Sequence, residues 1–122
     1  MITSHRLHHI NLNVSDIERS LKFYQAALGL EVKFWEGKKL VFLNSPGADD
    51  TITLCQADRG DPIAGGGVSH FGFKIEPGGL DEAVRQIEQA GGKLLSRGKH
   101  GGKFPYAYLA DPDGYVIELG DS

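Results

Sequence analysis

His9-Ile10-Asn11-Leu12-Asn13-Val14 and His70-Phe71-Gly72-Phe73-Lys74-Ile75 are two versions of one pattern. Each opens on a histidine and places an apolar residue one, three and five positions later. A period of two is that of a half-buried strand, whose side chains point by turns to opposite faces. The apolar members therefore share one face. His9, Asn11 and Asn13 share the other in the first copy, and His70, Gly72 and Lys74 do so in the second.

The chain around each copy repeats as well. After the first, Ser15 stands three residues before Glu18, the spacing of a capping box, and Ile17, Leu21, Tyr24 and Leu28 recur at helical intervals until Gly29. Residues 31–35, 39–43 and 51–56 then read as strands, with Gly37 and residues 45–50 as turns. Residues 60–67, Gly-Asp-Pro-Ile-Ala-Gly-Gly-Gly, read as a linker. After the second copy, Leu80, Val84 and Ile87 mark a helix over residues 80–90 that Gly91-Gly92 stops. Strands are expected at 93–96, 104–109 and 115–119, with the Asp-Pro-Asp-Gly turn of 111–114 before the last. Residues 97–103, holding Arg97, Lys99, His100 and Lys103, read either as a solvated hairpin loop or as a flap gathering an anionic substrate.

The order β-α-β-β-β thus occurs twice, with a period of about sixty residues: a duplicated module rather than a solenoid unit. Module one covers about 5–59 and module two about 68–120 of a single domain. The expected fold is α+β, two tandem βαβββ modules forming a cup-shaped, half-open mixed sheet with helices on its outer face. Thr51-Ile52-Thr53-Leu54 aligns with Val116-Ile117-Glu118-Leu119, so Thr53 and Glu118 hold equivalent positions.

Composition narrows the function. The net charge is −3, and neither half of the chain is basic, so the footprint of a nucleic-acid binder is missing. One cysteine, Cys55, excludes an internal disulfide framework and a cysteine-based zinc finger. No apolar run approaches the ~18 residues of a membrane span, and no signal peptide opens the chain, so a cytoplasmic protein is expected. Glycine is over-represented, with 17 residues of which thirteen follow residue 61.

The faces carry the chemistry. His9, His70 and Glu118 all belong to the face opposite the apolar one, where Asn11, Thr53 and Cys55 also lie. Two imidazoles and a carboxylate on one concave surface suit a divalent transition metal, and three protein donors leave positions open for substrate. Taken singly, each could be an ordinary surface or hydrogen-bonded residue; their equivalence in a repeat is what singles them out.

These stretches resemble the vicinal oxygen chelate superfamily, which includes glyoxalase I, fosfomycin-resistance enzymes, methylmalonyl-CoA epimerase, extradiol dioxygenases and bleomycin-binding proteins. The resemblance rests on H-H-I-N-L-N-V-S-D-I-E-R-S-L-K-F-Y with A-L-G-L, on V-S-H-F-G-F-K-I and on D-P-D-G-Y-V-I-E-L, and covers nearly the whole chain. It implies a metal site of His9, His70 and Glu118 for a divalent ion of iron, manganese, zinc, nickel or cobalt. It also implies a homodimer in which His9 of one chain joins His70 and Glu118 of the other. Glu118 and Tyr108 are the implied catalytic residues, and Asn11, Thr53, Cys55, Tyr106 and Tyr108 line the implied substrate cup; for Tyr108 a packed aromatic is the plain alternative.

The chain departs from the family at Thr53, where glyoxalase I-like members carry a carboxylate and epimerase-like members an amide. Two histidines and one carboxylate look more like the dioxygenases or the fosfomycin-resistance enzymes. The implied function is therefore a metal-dependent enzyme chelating a small oxygenated substrate, with dioxygenase-like or fosfomycin-resistance-like transfer chemistry. The alternatives are a metal-free bleomycin-resistance-type binding protein, using aromatics such as Phe34, Trp35, Tyr106 and Tyr108, and a glyoxalase- or epimerase-type isomerase.

Overall fold

A computed structural model describes residues 1–121. Module one runs β1 (Ile10–Val14), α1 (Ile17–Leu28), β2 (Glu31–Glu36), β3 (Leu40–Asn44) and β4 (Ile52–Gln56). Module two repeats the order as β5 (Phe71–Lys74), α2 (Leu80–Gln89), β6 (Lys93–His100), β7 (Phe104–Ala110) and β8 (Val116–Gly120). Each module forms a four-stranded mixed sheet with the same topology, β1-β4-β3-β2 and β5-β8-β7-β6. The first and last strands of each module pair in parallel; the other neighbours pair antiparallel. The fold is α+β, built from tandem βαβββ modules.

Alternation sorts the faces as the pattern demands. Leu12, Val14, Ile52, Leu54, Ile117 and Leu119 are buried, and they join the apolar stripes of both helices in one continuous core. Ile17, Leu21 and Tyr24 face that core from α1, and Leu80, Val84 and Ile87 from α2. The helices pack on each other, α1 also against β4, and α2 against β6 and β7.

The start of α1 differs from the expected capping box. Asp16 is the N-cap, its carboxylate accepting from the Arg19 amide at 3.1 Å. Ser15 is unavailable for that task because its amide and hydroxyl both donate to Asp113 of module two. The Asp113 carboxylate, only 4% exposed, also accepts from Arg19 at 2.9 Å. Three further bonds join the modules: the Ser20 hydroxyl donates to Asp113 at 3.4 Å, the Tyr24 hydroxyl to Asp111 at 2.7 Å, and the Tyr115 hydroxyl to the Asn13 carbonyl at 2.6 Å. Burial, then the neighbouring Asp111 charge, pushes the Tyr24 phenol well above its ordinary pKa, so it remains a donor.

The segment 97–103 is a strand-paired hairpin, with its turn confined to residues 101–103. β6 continues to His100 and pairs with β7, Gly98 opposite Tyr106 and His100 opposite Phe104. The turn is Gly101-Gly102, both at positive φ (60° and 69°), closed by the Lys103 amide donating to the His100 carbonyl at 3.0 Å. Two successive positive φ angles match the twist of a tight hairpin, which glycine adopts without steric cost. Glycines had interrupted the alternation that would have marked the strand.

Candidate metal centre

One register row crosses each sheet on the face away from the helices. In module two the row is Gly72, Glu118, Tyr108 and Ser96; in module one it is Asn11, Thr53, Phe42 and Phe34. Thr53 and Glu118 therefore correspond in space as they do in the repeat.

Glu118 is the centre of the second row. His70, immediately before β5, places Nε2 3.2 Å from Glu118 Oε1. His100, at the end of β6, donates from Nε2 to Glu118 Oε2 at 2.6 Å. A carboxylate can only accept here, so the proton lies on the imidazole nitrogen. The other ring nitrogen of His70, Nδ1, is 2.7 Å from Ser69 Oγ. A hydroxyl donates or accepts, so Ser69 can hold the ring in either tautomer.

An aromatic wall backs the group. Tyr108 meets His70 edge-on, with centroids 4.9 Å apart, and Tyr106 meets Tyr108 edge-on at 5.2 Å. His100 stacks on Tyr106 at 4.2 Å and 25°. The hydrogen bond from His100 holds Glu118 below the usual carboxylate range, against partial loss of hydration. Lost hydration, then the Glu118 charge, pushes the Tyr108 phenol up.

Row one is closed on itself. Thr53 is 2% exposed, and its hydroxyl donates to Asn11 Oδ1 at 2.7 Å. Phe42 and Phe34 stack at 4.3 Å and 14°, Phe34 remaining exposed. Trp35 pairs with buried Val41 and packs toward the core, away from Phe34. Cys55 follows Thr53 by two residues on β4 and is half-buried.

His70 and Glu118 thus meet within one chain, with Tyr108 and Tyr106 beside them. His9 does not join them there: its Nδ1 lies 2.8 Å from His8 Nδ1. Among the described residues, no three His, Cys, Asp or Glu side chains are gathered as a ready metal cage. Arg97, counted among the cations of a possible flap, pairs with Asp81 of α2 at 2.6 Å, on the helix side. Ser69 and His100 are the contacts that reading the sequence did not single out as site residues. Ser69 carried no signal beyond adjacency to His70, and His100 lay in the glycine-rich stretch.

The pair has the spacing of adjacent ligands. Donors ~2.0–2.2 Å from one ion and roughly at right angles to tetrahedral to one another lie ~3.0–3.5 Å apart. His70 Nε2 and Glu118 Oε1, at 3.2 Å, fall in that range. Nitrogen and carboxylate oxygen are also donors that suit a divalent transition metal.

The model of the Glyoxalase/Bleomycin resistance protein/Dioxygenase superfamily matches residues 6–119, and the chain belongs to that family. The lactoylglutathione lyase of Neisseria meningitidis serogroup A is 30% identical over 93% of this chain and 88% of its own length. A probable chloroplastic lactoylglutathione lyase of Arabidopsis thaliana is 29% identical over 93% of this chain, which spans only 35% of that protein. Among solved structures, a variant of the fosfomycin resistance protein FosX of Listeria monocytogenes, complexed with Mn(II) and a dihydroxypropylphosphonic acid, superposes with a TM-score of 0.78 at 23% identity. That match covers 97% of this chain and 90% of that one. The fold of that protein is shared here across both modules. No helix among the described residues is long and apolar enough to cross a membrane.

Proposed function

We propose that the protein is a divalent-metal-dependent enzyme that binds a small substrate through two neighbouring oxygens, using His70 and Glu118 of one chain and His9 of a second. The observation that carries this reading is the 3.2 Å approach of His70 Nε2 to Glu118 Oε1. When bound, the ion supplies Lewis-acid stabilisation of the anion that develops on the substrate oxygens.

The chain's own residues have distinct tasks. Ser69 orients the His70 ring through Nδ1, leaving Nε2 toward the site. Tyr108, its phenol pushed up, keeps its proton at neutral pH and donates to an anionic substrate oxygen. Thr53 takes no part as a ligand, because its hydroxyl is engaged by Asn11. Three protein donors leave open positions, which fits dioxygenase-like or fosfomycin-resistance-like transfer chemistry better than an isomerisation needing a fourth, basic carboxylate. The assembly is a cytoplasmic homodimer with sites shared between chains; that His9 pairs with His8 and not with His70 and Glu118 of its own chain supports the sharing.

The test is metal content. Protein purified without chelator is expected to carry about one divalent ion per chain by elemental analysis, and His70→Ala to lose it. Metal-free wild type, or full retention in the variant, overturns the reading. Dimers that combine one His9→Ala chain with one Glu118→Gln chain are expected to retain one intact site, and homodimers of either variant none. Oxygen uptake with a catechol, thiol addition to fosfomycin and isomerisation of the methylglyoxal–glutathione adduct then separate the chemistries. The exposed Phe34–Phe42 stack favours a second reading, a metal-free binding protein, for which ligand affinity would be unchanged by chelation.

A further inference from the structure

Glu118 has two oxygens, and they face different partners. Oε1 lies by His70 Nε2 at 3.2 Å, while Oε2 receives the Nε2 proton of His100 at 2.6 Å. We propose that His100 is a positioning residue that occupies Oε2 and so presents Glu118 to the metal through Oε1 alone. The inference rests on the reading of Glu118 as a metal ligand.

The reach of His100 is built into the hairpin. His100 sits opposite Phe104, whereas Glu118 sits opposite Tyr108, four residues further along β7. The imidazole spans that offset by lying back over Tyr106, on which it stacks. Tyr106 in turn lies over Gly98, where a Cβ would come within 2.5 Å of its hydroxyl oxygen. Gly98 thus leaves room for Tyr106, Tyr106 supports His100, and His100 holds the carboxylate.

A carboxylate with both oxygens free can rotate, or chelate an ion through both. Donating one strong hydrogen bond to Oε2 removes that freedom and fixes the direction of the other oxygen. Partners of this kind around a ligating side chain are typically worth ~10–100-fold in metal affinity. His100 itself is aimed at the carboxylate oxygen and forms no three-donor cage with His70 and Glu118. It acts through Glu118.

The experiment titrates the full-length metal-free protein with Co(II), reading affinity and the visible spectrum. His100→Ala is expected to weaken binding about 10–100-fold and to change the spectrum as Glu118 adopts another mode. His100 is more than half exposed, and unchanged circular dichroism should accompany the loss. His100→Gln, which keeps an N–H donor, is expected to recover most of the affinity and the wild-type spectrum. Gly98→Ala, which displaces Tyr106, is expected to give an intermediate loss. Pulsed EPR of the Cu(II) form should count the same number of coordinated imidazoles in wild type and His100→Ala. An unchanged affinity and spectrum in His100→Ala overturns the positioning role. Loss of one coordinated imidazole also overturns it, by making His100 a ligand. Wild type that binds no Co(II) refutes the metal reading itself, and the inference with it.

Discussion

Two rows of four residues cross the two sheets at the same place in the repeat, and they have become different things. Row one, Asn11-Thr53-Phe42-Phe34, is tied up by its own contacts: a hydroxyl bonded to an amide and two stacked rings. Row two, Gly72-Glu118-Tyr108-Ser96, leaves a carboxylate free to engage histidines from outside the row. The first residue of each row shows how. Asn11 reaches across to hold Thr53, while Gly72 has no side chain with which to hold Glu118. A duplicated backbone thus carries a row closed by its own contacts in one module and a carboxylate that meets two histidines in the other, and the change needed is a few side chains rather than a new fold.

The largest effect expected from this contrast is a difference in metal affinity between the two central residues. Glu118→Gln removes the anionic donor and is expected to weaken metal binding by about 100-fold or more, beyond the usual cost of losing an outer partner. Thr53→Val in the other row should leave affinity unchanged and cost only about 1 kcal/mol of stability for the lost hydrogen bond to Asn11. Calorimetric metal titration and thermal unfolding of both variants check the pair. Equal losses of affinity would mean the rows have not diverged.

Transplanting one row's feature into the other is the next test. Gly72→Asn copies the head of row one into row two. The added Cβ would sit 3.1 Å from the Glu118 carbonyl oxygen and 3.5 Å from its Cβ, so the β5–β8 pairing must give slightly. The amide would then compete with His100 and His70 for the carboxylate. A loss of roughly tenfold in metal affinity is expected, with a stability change of about 1 kcal/mol or less. Metal affinity unchanged by Gly72→Asn would show that the empty position is incidental.

Row one should respond only at the level of packing. Phe34→Ala removes a stacked partner from Phe42, a contact worth about 0.5–1.5 kcal/mol beyond the area it covers. Metal affinity should be untouched, and any effect on turnover should fall on KM rather than kcat, because the rings would meet substrate and not the reacting atoms. A fall in metal affinity would join the two faces more closely than their separate contacts suggest.

The equivalence of the rows was readable before any coordinates, for a physical reason. Period-two alternation assigns a face to every residue of a strand, and a repeat assigns partners, so His70 and Glu118 fall on one face from spacing alone. What the alternation could not reach were contacts that leave the strand's own frame. His100 meets Glu118 because a Gly-Gly turn and a stacked tyrosine carry its ring four residues along the sheet. Ser15 does not cap α1 because Asp113, 98 residues away, takes its hydroxyl and amide. Asp16 stands next in line and caps instead, moving the helix start without moving its apolar face.

The smallest predicted effect is in acid, and it compares Glu118 with the other carboxylate at the heart of module two, Asp111. The His100 hydrogen bond lowers the pKa of Glu118, so the folded state favours its charged form. That contribution to stability is present above the unfolded carboxylate pKa of ~4.3 and is lost as pH falls through the lower folded value. Asp111 is opposite in sign. Burial raises its pKa despite hydrogen bonds from Tyr24, Tyr115 and Asp113, so the folded state favours its protonated form. Its contribution is present below the unfolded Asp value of ~3.9 and lost as pH rises through the folded one. Carbon-detected titration of the metal-free protein should therefore show Glu118 titrating below the ordinary glutamate value and Asp111 above the ordinary aspartate value. His100→Ala should move Glu118 upward and leave Asp111 where it is, because the imidazole acts on the site carboxylate and makes no bond to the junction between the modules.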